Sequence, residues 1–221
     1  MKITKLGHCA LILEVESPTG GTLRILTDPG SFTIEQNVQT EIDIILITHE
    51  HGDHFHIDSL RELLVKNPKA AVITNQAVAA IIQKEGIGAV VSIVGDGQAM
   101  DANGVRIEGF GRLHAEIYKE VGRVENTGYM VANKFYFPGD AFHNPGKPVD
   151  ILALPAGGPW MKASESIDFC LEVKPRVAFP VHDGMIRPEL RAFLSYGMSK
   201  GFLEAAGIQF VPLPAGESQD F

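Results

Sequence analysis

Thr48-His49-Glu50-His51-Gly52-Asp53-His54 follows the apolar run Asp43-Ile44-Ile45-Leu46-Ile47. Three imidazoles and a carboxylate fall within six residues, at the end of what reads as a buried central strand. A strand cannot aim His49, His51, Asp53 and His54 at one point, because successive side chains alternate between its faces. A tight loop leaving a strand can, and Gly52 supplies freedom for the turn. Imidazole nitrogen and carboxylate oxygen are the ligands borderline metal ions prefer, zinc first among them. The competing reading is a polar loop rich in histidine by accident, and the strand context weighs against it.

Outward from this loop, residues 2–28 read as three strands, with Ser17-Pro18-Thr19-Gly20-Gly21 as a turn and Asp28-Pro29-Gly30 as an end. After His54 a helix is expected, opened by a capping box at Ser59-Leu60-Arg61-Glu62 and stopped at Asn67-Pro68. Ala70–Thr74 is a short strand, Asn75 caps a second helix running through Glu85, and Val90–Val94 is another strand. Gly95–Asn103 is turn-rich. A strand from Val105 then runs into Arg112-Leu113-His114. Thr127–Val131 and Lys134–Phe137 form a strand pair turned at Ala132-Asn133 and followed by Gly139-Asp140. Val149–Leu154 is a strand, Ala163–Val173 a helix, and Arg176–Val181 a strand delivering His182. Pro188–Ala206 is a helix with a weak point at Gly197, and Ile208–Leu213 is the expected last strand. Two halves, each a sheet flanked by helices, imply an α/β fold: a four-layer αββα sandwich of two mixed sheets.

The chain has 221 residues, 45% of them hydrophobic, enough for one large domain or two small ones, and a single domain over residues 1–221 is expected. A net charge of −8 is a poor surface for holding nucleic acid. Two cysteines, Cys9 and Cys170, give no disulfide framework, and Cys170 reads as packing. The opening Met1-Lys2-Ile3-Thr4-Lys5 lacks the apolar core of a signal peptide, and no run is long enough to span a membrane. A cytoplasmic protein with no membrane association is the expectation.

His49-x-His51-x-Asp53-His54 is the signature of the metallo-β-lactamase superfamily, and the chain resembles that superfamily along nearly its whole length. Gly7-His8 before Ala10–Glu14, Leu26-Thr27-Asp28-Pro29-Gly30, Gly139-Asp140 and Phe179-Pro180-Val181-His182 are similar to its other conserved stations, in the same order. Leu154-Pro155-Ala156-Gly157-Gly158 and Pro180-x-His182 are similar to the small metal-dependent hydrolases of the ascorbate-6-phosphate lactonase type. The resemblance implies the metallo-β-lactamase fold and two divalent ions, zinc with manganese or iron as alternatives. It implies that His49, His51 and His114 hold the first ion, that Asp53, His54 and His182 hold the second, and that Asp140 bridges them. It also implies that Asp53 orients the attacking hydroxide and carries a proton, and that Asp28 lies behind the site. His56 departs from the acidic residue that lactonase-like members carry there.

Several residues keep two readings. His8 faces the site or is structural; His143 is a substrate contact or surface; Trp160 walls a pocket or caps the core. Arg187, Lys162 and Arg112 are anion contacts or ordinary surface charges. The function expected is hydrolysis of a small ester, lactone or phosphorylated metabolite, with the small molecule as the partner and self-association implied by the resemblance alone. The alternatives are a phosphodiesterase or nuclease of the ribonuclease Z type, or a catalytically silent metal-binding protein. A redox di-iron member would carry glutamate in place of His51 and a fused flavin domain. A glyoxalase-type thioesterase would carry a C-terminal helical domain.

Overall fold

A computed structural model describes residues 1–221, the side chains of Leu194 and Ser195 excepted. Strands β1 (Lys2–Gly7), β2 (Ala10–Glu16), β3 (Thr22–Thr27), β4 (Ile44–Ile47), β5 (Ala71–Thr74) and β6 (Val90–Ile93) lie side by side in chain order. The second half supplies β7 (Ala99–Ala102), β8 (Val105–Phe110), β9 (Gly128–Val131), β10 (Phe135–Phe137), β11 (Ile151–Pro155), β12 (Val177–Val181) and β13 (Gln209–Phe210), also in chain order. Each sheet is antiparallel over its first strands and turns parallel midway, at β3–β4 and at β10–β11. A last strand, β14 (Ser218–Asp220), crosses back to pair with β1, so each sheet has seven strands.

The apolar run in β4 shows why the layers stack. Ile44 and Leu46 join a cluster with Leu11, Ile25 and Ile73 of their own sheet and Ile107, Phe137 and Phe179 of the other. Ile45 and Ile47 point the opposite way, to Leu60 and Leu63 of α1 (Ile57–Lys66) and Val78 and Ile82 of α2 (Gln76–Lys84). A strand covered on both faces must be apolar at every position, which is what the sequence shows. The second sheet is covered likewise. Met130, Tyr136, Leu152 and Ala178 pack on Ile167, Phe169 and Cys170 of α3 (Ala163–Val173) and on Leu203. The sandwich of two mixed sheets between helices is therefore the architecture expected.

Local expectations fared unevenly. Asn75 caps α2 as expected: its Oδ1 accepts from Val78 N at 3.1 Å, while its Nδ2 donates to Thr48 O at 2.9 Å, tying the helix to the histidine loop. We expect Asn75→Ala to cost about 2 kcal/mol in urea unfolding, about half from the lost cap and half from the lost bond to Thr48. The capping box at Ser59 does not form. α1 begins two residues earlier at Ile57, and the Ser59 hydroxyl is buried against His56 Nδ1 (3.0 Å) and Gln36 Nε2 (3.4 Å). The turn-rich stretch 95–103 contains β7, and the final strand expected over 208–213 shrinks to Gln209–Phe210. Ala132 and Asn133 turn the β9–β10 hairpin with φ of 55° and 51°, the left-handed pair that a tight hairpin requires. The helix over 188–206 is broken as its glycine implies, with α4 (Pro188–Arg191) and α5 (Met198–Ala205) joined by a π-turn over Ala192–Gly197. A Cβ on Gly197 would lie 2.8 Å from Ala192 O.

Candidate metal centre

Four strand ends meet at one edge of the sandwich. β4 delivers His49, His51, Asp53 and His54; β8 delivers His114; β10 delivers Asp140; β12 delivers His182. The loop after β4 is shaped from below by the Asp28-Pro29-Gly30 turn. Asp28 accepts from Thr48 N (2.8 Å) and Thr48 Oγ1 (2.7 Å) and meets His54 Nδ1 at 2.7 Å. Burial raises its carboxyl above the ordinary range, and the bonds from His54 and Thr48 work against that.

His49, His51 and His114 form one set, with ring centroids 4.7–5.1 Å apart. Asp53, His54 and His182 form a second, which His8 joins; all potential ligand atoms in each set lie within 4.8 Å of one another. Asp140 stands between the sets, its Oδ2 3.3 Å from His114 Nε2 and 2.9 Å from His182 Nε2, its Oδ1 3.1 Å from His54 Nε2. Asp140 is itself placed by Asn126, whose Oδ1 accepts from Asp140 N at 3.0 Å and whose Nδ2 donates to Pro138 O.

The histidines are held by their outer nitrogens. His114 Nδ1 donates to Ala115 O at 2.6 Å, His182 Nδ1 to Gly157 O, and His54 Nδ1 to Asp28. Thr48 Oγ1 gives its own proton to Asp28, so at 3.0 Å it accepts from His49 Nδ1. With protons on Nδ1, the inward Nε2 atoms carry lone pairs. Nε2 of His49, His54, His114 and His182 and Oδ1 of Asp140 are all buried without a hydrogen-bond partner. Five orphaned acceptors around one space fit divalent ions held by nitrogen and carboxylate oxygen.

The charges agree. Burial opposes the charge on Asp140, yet His54 and His182 hold its carboxyl well below the usual range. Burial opposes a charge on His182, yet Asp140 raises its pKa to about 9, so a proton on its Nε2 competes with a metal ion for that lone pair. For Asp53 the penalty of burial is outweighed by the neighbouring His182 and by the hydrogen bond from His8, which hold its carboxyl well below the usual range. His8, by contrast, is pushed down to about 4, chiefly by burial, and stays neutral.

The remaining candidates divide. Trp160 is buried with its ring 5.7 Å from His114, 5.6 Å from His182 and 5.2 Å from Phe142, so it both walls the site and caps the core. His143 packs on Gly111, and His56 bonds Ser59; neither belongs to the converging sets. Arg112 is spent on an exposed pair with Asp96 at 2.9 Å. Lys162 and Arg187 stand at the N-caps of α3 and α4. Sequence reasoning missed Asn126, which carries no local signature. It also missed the buried Lys5, whose Nζ donates to Pro180 O and Asp183 Oδ2, both at 2.8 Å, and so braces the turn bearing His182.

A family model described as the β-lactamase superfamily domain matches residues 2–182. The chain belongs to the metallo-β-lactamase superfamily. Within it, the chain is 35% identical to Protein Rv0786c of Mycobacterium tuberculosis over 202 residues, covering 89% of this chain and 90% of that one. A UPF0173 metal-dependent hydrolase of Archaeoglobus fulgidus is 26% identical over 249 residues, 100% of this chain and 99% of its own length. Igni18, a metallo hydrolase from Ignicoccus hospitalis, shares the superfamily fold with a TM-score of 0.75 at 20% identity, covering 100% of this chain and 98% of that one. No helix among the described residues is long and apolar enough to cross a membrane.

Proposed function

We propose that this metal-dependent hydrolase holds two divalent ions, zinc first among the candidates, and cleaves a small ester or lactone. His49, His51 and His114 are the ligands of one ion, Asp53, His54 and His182 of the other, with Asp140 shared. The observation that carries the reading is the set of orphaned Nε2 atoms and the Asp140 oxygen turned on one space. When bound, the ions supply Lewis acidity, bringing the pKa of solvent towards neutral and stabilising charge that develops on the substrate oxygen. The protein's own groups do the rest. Asp53 has 20% of its side chain exposed, against 3% for Asp140, so it is the carboxylate that meets solvent and substrate. It accepts a proton from the attacking water and passes it to the leaving oxygen. Trp160, with its ring 5.6 Å from His182, and Phe32, with its ring 5.1 Å from His8, put apolar surface beside the ligands and limit water there.

Surroundings favour a weakly charged substrate over a phosphorylated one. Arg112 is paired with Asp96, and Arg123 Nε donates to His114 O at 2.6 Å. Phe32, half exposed with its ring 5.1 Å from His8, gives the mouth an apolar wall. A net charge of −8 works against a nuclease.

The test is metal content per chain on protein purified without added metal, with turnover of a lactone, an ester, a thioester and a phosphodiester on the same sample. Two ions per chain with ester or lactone turnover is expected; fewer than one after reconstitution, with no turnover, overturns the reading. His114→Ala should lower affinity at the first set by at least about tenfold while sparing the second. Unchanged content at both would show that the third ligand is misassigned.

A further inference from the structure

His8 stands outside the ligand set just proposed, yet it is buried among those ligands. Its chain is turned inward by a register shift between Lys5 and Gly7, with φ of 156° at Gly7 and 43° at His8. His182 N donates to His8 O at 3.2 Å, closing the β1–β2 turn onto the exit of β12. The imidazole lies 4.2 Å from the His182 ring and 5.1 Å from the Phe32 ring, centroid to centroid. Its Nε2 is 3.2 Å from Asp53 Oδ2.

Four groups within ligand distance would ordinarily suggest a fourth ligand. The other ring nitrogen decides against it. Gly184 N–H points at His8 Nδ1 from 3.2 Å, so Nδ1 must accept. A metal-bound Nε2 would need its lone pair inward and a proton on Nδ1, setting two N–H groups against each other. The neutral ring that satisfies Gly184 carries its proton on Nε2 and donates it to Asp53. Gly184 is fitted to this arrangement, since a Cβ there would lie 2.8 Å from His8 Nδ1 and 3.0 Å from its Cβ.

We infer that His8 is a positioning residue, a fixed Nε2–H donor that locks the rotation of Asp53 and so sets the affinity of the second metal position. Asp53 follows Gly52 on a loop, and its side chain is the more open of the cluster's two carboxylates, so without a tether it would swing into solvent. One lone pair of Oδ2 is taken by His8; the other and Oδ1 stay free for the ion and for protons. The turn carrying His8 and the Gly184 turn, 176 residues apart, thereby fix the geometry of a loop that touches neither in sequence.

The inference rests on the two-ion reading, and the test separates them. Metal-free full-length protein is titrated with zinc against a chelating competitor, resolving the two affinities. Fewer than two zinc ions in the unmodified protein overturns the reading and the inference together. With two bound, His8→Ala should weaken the second by 10- to 100-fold and leave the first unchanged. His8→Phe, which fills the volume without a donor, should match the alanine variant. His8→Gln, whose amide can reach Asp53, should recover most of the loss. Gly184→Ala should reproduce the defect with His8 still present. Imidazole 15N spectra of the zinc-loaded protein should show His8 protonated at Nε2. A second-site affinity unmoved by His8→Ala, or a His8 ring protonated at Nδ1 with zinc bound, overturns the inference alone.

Discussion

Asp53→Ala is expected to abolish hydrolysis while most of the metal held by His49, His51 and His114 is retained. The asymmetry comes from geometry. Asp53 Oδ2 lies 3.5 Å from His182 Nε2 and 3.7 Å from His54 Nε2, inside the second set and outside the first. Losing a positioned acid–base group costs about 10²–10⁴-fold in rate. The weakened second ion adds to that, so kcat/KM should fall by about 10⁴-fold or more. Asp53→Asn keeps the volume and a hydrogen-bond acceptor but removes the charge, and should lose activity nearly as completely. Steady-state kinetics with metal analysis on the same samples checks both, and full activity in the alanine variant would sink the mechanism.

Gly30→Ala should be the most damaging single methyl group in the chain. A Cβ there would sit 1.7 Å from Asp53 O, 2.0 Å from Asp53 C and 2.6 Å from His54 N, all backbone atoms that no rotamer change can move. The turn is pinned on three sides, through Gly30 N to Asp28 O (2.8 Å), Ser31 N to Gly52 O (2.8 Å) and His56 N to Pro29 O (3.1 Å). Relief therefore requires the histidine loop to lift off the Asp28 turn, breaking the Asp28–His54 contact. A loss of about 4 kcal/mol or more is expected, with reduced metal binding at the second set. Gly88→Ala is the control. Nothing lies within 4 Å of its Cβ position, and its stability should change by less than about 0.5 kcal/mol. Denaturant unfolding of the two variants checks the contrast, and near-native stability in Gly30→Ala would refute it.

Much of the site was legible because its parts sit in the chain as local signals. Three imidazoles and a carboxylate crowd one loop, and His114, Asp140 and His182 each follow an apolar strand, so convergence of strand ends brings them together. Less legible were the groups that hold those ligands. Asn126 acts on a residue 14 positions away through its side-chain amide, and nothing in the surrounding residues marks that task. His8 was ambiguous because its role depends on Asp53 and Gly184, both remote in sequence.

By itself the sequence determined the layers. Ile44 to Ile47 must be covered on both faces, amphipathic α1 and α2 must lie against a sheet, and Asn75 must start a helix, because burial and capping act over a few residues. Only the tertiary structure decided the edges and the tethers. β14 is three exposed polar residues, Ser218–Asp220, with no alternation to announce a strand; it exists because β1 offers an open row of hydrogen-bonding groups. Ser59 looked like a cap, but its buried contacts with His56 and Gln36 put it inside the helix instead. Nothing around Lys5 marks it as a buried charge; its partner Asp183 arrives from 178 residues away. A pattern over neighbouring residues can report which face of an element seeks cover, but the partner that satisfies one buried charge or one open edge is selected only when distant segments meet.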